Sequence, residues 1–440
     1  MNIKELKKIN FVIKKHLTTN TDSLQTIKKD SIKYLTDEEF SHWFSGFSDA
    51  ESNFYISDSE NKFTFRFSIK LHIDDLNLLQ FIQQRLKIGK ISTTERYANW
   101  TVLRANEIMK LLEIFKIKSL NTTKYLNYIA FKEAFFLYYK RNPNLALTDK
   151  LKIFNTIREI KNSMNTQRNN FELPKDHQIK ITPYWFLGFI EGDGSFSISS
   201  LKSFPLKFNI TQVITEEKVL ESIKTFLLEL PGNYKKRSKK SNQVQILKKI
   251  KILNNKTKLL LTLAISDFNY IKTILTPFFD QMKFLSKKEL DYINWKQIIE
   301  LKARGWHLSK EGSDLIIKIA NTMNNNRLST NDKNLNKEKY LKDNLLDKKV
   351  KILLNKPSNF ELHPNGKIFI KSENIYWKGR GNVGIEVFNE KGILLYSFEN
   401  LEETGNFFNL SKHIIRYRLE TEKPLIINKD KFYFKRVILL

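Results

Sequence analysis

Apolar and polar residues alternate with a period of two over residues 62–71. Phe63, Phe65, Phe67, Ile69 and Leu71 interleave with Lys62, Thr64, Arg66, Ser68 and Lys70. That period predicts a strand with one buried face and one polar, partly cationic face. The same pattern returns where Leu206, Phe208 and Ile210 alternate with Lys207, Asn209 and Thr211. A helix is expected ahead of each strand. The first should open at Thr36-x-x-Glu39, a capping-box pattern. The second has Thr182 as N-cap followed by Pro183, whose fixed φ suits the first helical position.

The recurrence extends well beyond one strand. Phe44-Ser-Gly-Phe-Ser-Asp-Ala-Glu51-Ser-Asn-Phe54 matches Phe186-Leu-Gly-Phe-Ile-Glu-Gly-Asp193-Gly-Ser-Phe196. Ile69, Leu79, Ile82 and Leu86 correspond to Ile210, Leu220, Ile223 and Leu227. Lys124-Tyr-Leu-Asn-Tyr-Ile recurs as Lys288-Glu-Leu-Asp-Tyr-Ile, and Ile157-x-x-Ile-x-Asn-Ser-Met-Asn-x-x-Arg168 as Ile316-x-x-Ile-x-Asn-Thr-Met-Asn-x-x-Arg327. Matched blocks in one order mark a tandem duplication, with an insertion in the second copy near 233–258. Each half reads as helix, strands, helix, strands, helix. The expected divisions are a basic N-terminal extension (1–35), a first repeat (36–164), a linker (165–180), a second repeat (181–327), a polar linker (328–359) and a C-terminal module (360–440). The fold class is α+β.

Composition narrows the partners. Lys and Arg number 75 against 47 Asp and Glu, a net charge of +28. Such a surplus calls for a polyanion, and nucleic acid gains from the counterions released by each neutralised phosphate. An anionic membrane is the rival, but apolar runs such as Phe186–Ile190 fall far short of the roughly 20 residues that a membrane-spanning helix needs. The chain has no cysteine, which excludes disulfides, thiolate zinc sites and cysteine nucleophiles. The seven histidines are scattered. A catalytic metal must then be held by oxygen ligands, which favours Mg²⁺ (or Mn²⁺). Richness in Lys, Asn, Ile and Phe suggests an AT-rich coding genome, as in mitochondria.

Gly46 and Ala50 lie four apart, as do Gly188 and Gly192. That spacing puts small residues on one helix face, and glycine inside a helix costs about 1 kcal/mol, which implies close packing. Crossing the two helices on these faces would bring Glu51 and Asp193 together. Two carboxylates at helix C-termini beside phosphates concentrate negative charge. Divalent cations relieve it and can activate water. Asp49 and Glu191, two residues earlier, read as helix-end structure. In the insertion, Lys235, Lys236, Arg237 and further lysines form a run without acids, suited to DNA backbone.

These residues resemble the LAGLIDADG homing endonucleases over nearly all of 36–327. The resemblance implies motif helices at a central interface above two saddle-shaped antiparallel sheets, αββαββα in each repeat, that grip the DNA major groove. It implies that Glu51 and Asp193 bind metal and catalyse, with Lys124 and Lys288 near the active centre stabilising phosphate charge, and that Gln212 lies near that site. The first motif departs from the family pattern with Glu51 for the usual Asp and Ser52 for the final Gly, which bears on relative strand-cutting rates. Lys62, Thr64, Arg66, Ser68, Lys70, Lys207, Asn209, Thr211 and Gln212 are the expected DNA-binding residues of the strands.

Beyond Val383 the chain reads as a hairpin with its turn at 389–392. Two short helices follow, over 400–408 and 411–419, with Ser411 as N-cap of the second. The arrangement resembles the helix-turn-helix nuclease-associated modular domain and would place Lys412, His413, Arg416 and Arg418 on or near a recognition helix. The whole implies a monomeric, metal-dependent enzyme cutting double-stranded DNA. An intron RNA maturase and a DNA-binding regulator without catalysis are the alternatives.

Overall fold

The computed structural model describes residues 35–440 apart from 61, 143, 200–202, 233, 235–242, 254–255, 331–338, 364–366, 378–381, 399, 428–429 and 440. Residues 1–34 of the expected N-terminal extension, and Lys235, Lys236 and Arg237, lie outside the described residues.

The first repeat begins with α1 (Asp37–Glu51). Its N-terminus is fixed by the expected capping box, with Glu39 N donating to Thr36 Oγ1 at 3.2 Å and Thr36 N to Glu39 Oε2 at 2.8 Å. It continues through β1 (Ser52–Ser59), β2 (Lys62–His72), α2 (Leu76–Leu86), β3 (Lys90–Thr93), β4 (Tyr97–Val102) and α3 (Ala105–Ile117). Two further helices, α4 (Lys124–Tyr139) and α5 (Leu147–Asn162), extend the expected pattern. The strands form one antiparallel sheet in the order β1-β2-β4-β3. Phe63, Phe65, Phe67 and Ile69 are buried on its inner face while Lys62, Thr64, Arg66 and Lys70 are exposed. Full burial of each such apolar side chain contributes roughly 1.5–3 kcal/mol.

The second repeat follows the same plan: α6 (Pro183–Asp193), β5 (Gly194–Ile198), β6 (Leu206–Val213), α7 (Glu217–Leu228), β7 (Val244–Leu253) and β8 (Lys256–Ile265). A helical segment over 268–280 comes next, then α8 (Lys288–Ala303) and α9 (Lys310–Ala320). Thr182 caps α6 by accepting from Trp185 N at 3.2 Å, with Pro183 in its first turn. The sheet order β5-β6-β8-β7 repeats the first. Among the described residues of the insertion, β7 pairs antiparallel with β8 from Val244 to Leu253.

The last matched block has a structural reason. Asn165 and Asn324 both sit at positive φ, 53° and 54°. Asn165 Nδ2 donates to Phe54 O at 2.9 Å and Asn324 Nδ2 to Phe196 O at 3.0 Å. Asn165 N donates to Asn127 Oδ1 and Asn324 N to Asp291 Oδ1. In each repeat the first strand is thereby tied to the lysine-led helix, α4 or α8, through one left-handed asparagine, a residue that tolerates that conformation.

Residues 328–359 are not simply the polar linker expected. They carry α10 (Lys339–Asn355), and Val350 and Leu353 are buried in the main core. The cause is plain: Lys, Asp and Asn are interleaved with the apolar residues of this helix, and among its described side chains a narrow stripe, Leu346, Val350, Leu353 and Leu354, reaches the core. Beyond it, β9 (Phe360–Leu362), β10 (Ile368–Ile370) and β11 (Ile375–Tyr376) form a small sheet. It docks where Gly305, at φ 75°, leaves its Cβ position to the Phe360 ring.

The C-terminal module contains the expected hairpin, β12 (Asn382–Phe388) and β13 (Leu394–Phe398), turning at Asn389 and Gly392. Its two helices are α11 (Leu401–Phe408) and α12 (Lys412–Thr421). Ser411 holds the N-cap position of α12 but makes no side-chain capping bond. Two strands not foreseen, β14 (Leu425–Ile427) and β15 (Asp430–Leu439), complete a sheet ordered β13-β12-β15-β14. Ile385, Val387, Phe398, Ile415, Leu425 and Phe434 form its separate core.

A chain ended after Arg327 loses Val350 and Leu353 from the main core, whereas one ended after Lys356 keeps them. Thermal unfolding should show the shorter chain destabilised by at least about 2–5 kcal/mol relative to the longer. Equal melting of the two would mean that α10 is peripheral.

Candidate nucleic-acid interface and paired-acid centre

Helices α1 and α6 meet along their small residues. A Cβ on Gly46 would collide with the Trp185 carbonyl, its carbon lying 2.8 Å away, and one on Gly188 would collide with the Trp43 carbonyl and lie 2.8 Å from Phe47 N. A Cβ on Gly192 would run into Ala50 and lie 3.0 Å from Glu51 Cγ. Only glycine permits this backbone approach. It places Glu51 and Asp193, the last residues of the two helices, side by side.

The indoles lock the crossing reciprocally. Trp185 Nε1 donates to Asp49 Oδ2 at 2.9 Å, and Trp43 Nε1 donates to Glu191 Oε2. Asp49 also accepts from Asn121 N at 2.7 Å, Thr122 N at 3.1 Å and Thr122 Oγ1 at 2.5 Å. Glu191 accepts from Leu285 N at 2.7 Å, Ser286 N at 2.6 Å and Ser286 Oγ at 2.8 Å. These buried acids therefore do structural work, as their sequence position implies. They receive the free N–H groups just before α4 and α8, which would otherwise be orphaned. Burial raises the carboxyls of both, that of Glu191 to about 7.

The helices so anchored begin with Lys124 and Lys288. Lys124 Nζ donates to Ser48 O and Ala50 O, both at 3.1 Å, and Lys288 Nζ donates to Gly194 O at 2.6 Å. Neither motif helix has a basic residue in its own last turn, so these lysines cap them from elsewhere in the fold. Burial lowers the affinity of both ammonium groups for their proton, while Glu51 helps restore it in each. Burial, and for Glu51 the neighbouring Asp193 charge, raises both terminal carboxyls.

Gln212 joins the centre by donating to Asp193 Oδ2 at 2.7 Å. It shares the inward parity of Phe208 and Ile210, so it belongs with Asp193 and not with the outer DNA-facing row expected from the sequence. Strand register puts Leu71 at the matching place in the first repeat, since Ser52 pairs with Ile69 as Gly194 pairs with Ile210. Among the described residues, no group of three or more acids and histidines could hold a metal ion by itself. A cation at Glu51 and Asp193 would thus take its other oxygens from backbone, water or phosphate. The pair of carboxylates is chemically suited to a hard divalent ion on those terms.

From Glu51 a concavity runs along the outer face of the first sheet, lined by Asn53, Arg66, Ser68, Lys70, Tyr97 and Asn99 among others. Arg66 lies over the Tyr55 ring at 4.6 Å and Lys70 over Tyr97 at 4.2 Å. Tyr55, Tyr97 and Asn99 were not among the sequence candidates, although cross-strand pairing with Arg66, His72 and Lys70 makes them neighbours. In the second sheet, Lys207 and Thr211 are exposed and Asn209 is half-buried. Thr211 and Thr262 are linked by their hydroxyls at 3.0 Å. In the C-terminal module Lys412 and Arg416 are exposed. Arg418, by contrast, is half-buried and donates to Pro424 O at 3.1 Å, because its place on α12 turns it toward the chain leaving the helix. Among the described residues no helix is long and apolar enough to cross a membrane.

Residues 44–135 and 186–299 match the family described as LAGLIDADG endonuclease. The uncharacterised mitochondrial protein RF1 of Saccharomyces cerevisiae is 26% identical, over 99% of this chain and 90% of its own. The probable intron-encoded endonuclease Cox1-I1b of Schizosaccharomyces pombe is 29% identical over 47% of this chain; the match spans about half of that relative, 54%. The crystal structure of the LAGLIDADG homing endonuclease I-GzeII in complex with a DNA target is 24% identical, covers 65% of this chain and 99% of that one, and has a TM-score of 0.54. That likeness establishes the two-repeat fold.

Glu191 gives a pH signature. The folded carboxyl keeps its proton to about 7 against an ordinary value of 4.5. Its contribution to stability is therefore complete in acid and is lost as pH rises through that window. Glu191→Gln cannot ionise. It should be less stable at pH 5 by about 1–3 kcal/mol, for the weakened Trp43 bond, with the gap to the native chain narrowing toward pH 8. A gap that stays constant across chemical denaturation at both pH values would show that Glu191 is not held protonated.

Proposed function

The chain belongs to the LAGLIDADG endonuclease family, and we propose that it is a site-specific homing endonuclease that hydrolyses both strands of a long DNA site. The observation that carries this reading is the pair Glu51 and Asp193 at adjoining helix ends, between two sheets with polar, cationic outer faces. Intron-encoded endonucleases among its relatives, and mitochondrial RF1, support an intron-encoded mitochondrial protein. Because both repeats occur in one chain and fill each other's helix interface, the active form is a monomer.

Glu51 and Asp193 would hold divalent cations, Mg²⁺ or Mn²⁺, against the scissile phosphates. Bound there, the metal would lower the pKa of water and stabilise charge on the phosphate oxygens. Asp193 is oriented by Gln212; Glu51 has a longer arm, and Leu71 holds the position equivalent to Gln212. Lys124 and Lys288 offset the charge that builds up on the phosphates. Arg66, Lys70 and Lys207 engage backbone phosphates, while Asn53, Asn99 and Asn209 offer amides to base edges. A splicing role as an intron RNA maturase would draw on the same basic surfaces but would leave the paired acids without a task.

The intron-free allele of the encoding gene is the substrate to test, with Mg²⁺ and with chelator. Glu51→Gln and Asp193→Asn should each retain DNA binding and lose double-strand cleavage under single-turnover conditions. Undiminished cutting by either variant would remove that residue from the metal site.

The C-terminal module extends the bound site on one flank. A chain ended after Lys356 should still cut at saturating enzyme but lose protection on that flank only. Its salt slope should become shallower by about 0.9 for each phosphate that the module had neutralised. An unchanged footprint would assign the module to another partner.

A further inference from the structure

The N-termini of α4 and α8 each receive a second carboxylate, and it comes from the opposite repeat. Glu216, in the turn after β6 of the second repeat, accepts from Thr123 N at 3.0 and 3.1 Å and from the Thr123 hydroxyl. Thr123 immediately precedes Lys124. Asp75, in the matching turn after β2 of the first repeat, accepts at 2.9 Å from the backbone N–H of Lys287, which immediately precedes Lys288. Glu216 is buried, so its bonds are poorly replaced by water.

The pattern is complete at both helices. The N–H groups of 121 and 122 go to Asp49, that of 123 to Glu216, and that of 124 to Thr122 Oγ1 at 3.2 Å. The N–H groups of 285 and 286 go to Glu191, that of 287 to Asp75, and that of 288 to Ser286 Oγ at 3.2 Å. Each lysine-bearing helix is thus gripped by one acid of its own repeat and one of the other.

We infer that Glu216 and Asp75 are positioning residues acting across the repeat boundary: Glu216 sets Lys124 and Asp75 sets Lys288. Neither acid needs to touch DNA. The consequence is that neither lysine is correctly placed unless both repeats are docked, which ties the chemistry of each half to the presence of the other. For cleavage this rests on the nuclease reading; the placement of the amines does not.

The test therefore has two arms, both on the full chain. In the first, lysine reactivity toward a small acylating reagent is read by peptide mass spectrometry without DNA or metal. Glu216→Gln should raise the labelling of Lys124 severalfold and leave Lys288 unchanged; Asp75→Asn should do the reverse. Thr123→Val, which keeps the backbone donor and removes only the hydroxyl, should give a smaller rise at Lys124. Equal changes at both lysines, or at neither, would overturn the inference whatever the protein's activity. In the second arm, strand-resolved single-turnover cleavage is measured with DNA affinity as control. Glu216→Gln should slow, by about 10-fold or more, the strand most slowed by Lys124→Met. It should add nothing further in the Lys124→Met background, and affinity should be unchanged. Independent, multiplying effects would overturn the assignment, whereas a native chain that cuts no site while the labelling arm holds would sink only the nuclease reading.

Discussion

Everything at the centre of this molecule depends on two helices touching backbone to backbone. With glycine at positions 46 and 188, the carbonyls of Trp185 and Trp43 occupy the space where side chains would stand. Helices normally pack 8–10 Å apart with side chains between them, and at that distance Glu51 and Asp193 would serve separate sites. The closer approach makes one site from two repeats. It also explains why the indoles can reach across to Asp49 and Glu191: each tryptophan lies beside the acid of the other helix only because the axes are so near.

The electrostatic arrangement follows from this contact. A chain of net charge +28 keeps six carboxylates at its middle: Asp49, Glu51, Asp75, Glu191, Asp193 and Glu216. Four of them accept from N–H groups at helix starts, and for Asp49, Glu191 and Glu216 burial still raises the carboxyl. The two at helix ends face the opposite polarity; Glu51 is stabilised by Lys124 and Lys288, and Asp193 by its bond from Gln212 and then by the same lysines. These acids are the pair left available for a cation. Position along the helix, more than residue type, separates the acids bonded to helix starts from the pair at helix ends: Asp49 and Asp193 are the same amino acid in different surroundings.

The duplication, the strands and the paired acids could be read from the sequence because each is a local regularity: a period of two, a small residue every four, a block repeated in order. The bonds from Glu216 to Thr123 and from Asp75 to Lys287 could not, since they join residues 93 and 212 positions apart. A signal did exist in Ile73-Asp-Asp75 and Ile214-Thr-Glu216, matching turns that end in an acid, but nothing local says where those acids point. Gln212 has the parity of the buried Phe208 and Ile210 and so meets Asp193, whereas Lys207, Asn209 and Thr211 have the other parity. Helix α10 is harder to read because its apolar residues are interleaved with lysines and acids, although Leu346, Val350, Leu353 and Leu354 form a stripe that docks it. Arg418 looked like its neighbours on α12 until the chain beyond the helix was in place.

The two halves agree in what holds the centre and differ in what faces outward. Trp43 and Trp185, Thr122 and Ser286, and Asn165 and Asn324 repeat their contacts almost bond for bond, and Lys124 and Lys288 both donate to carbonyls at the ends of the motif helices. The third and fourth strands do not: β3 and β4 have four and six residues, while β7 and β8 have ten each. The second sheet is longer in this pair of strands, which carries Lys248, Lys249 and Lys251, and shorter in its first two, with five and eight residues against eight and eleven. Gln212 steadies Asp193 where Leu71 leaves Glu51 without an amide. A palindromic DNA site would offer identical halves to these unequal surfaces, and one half would always fit worse. The unequal strands therefore suit an asymmetric target better than a palindrome. Symmetry is confined to the part of the molecule where a close helix crossing demands it.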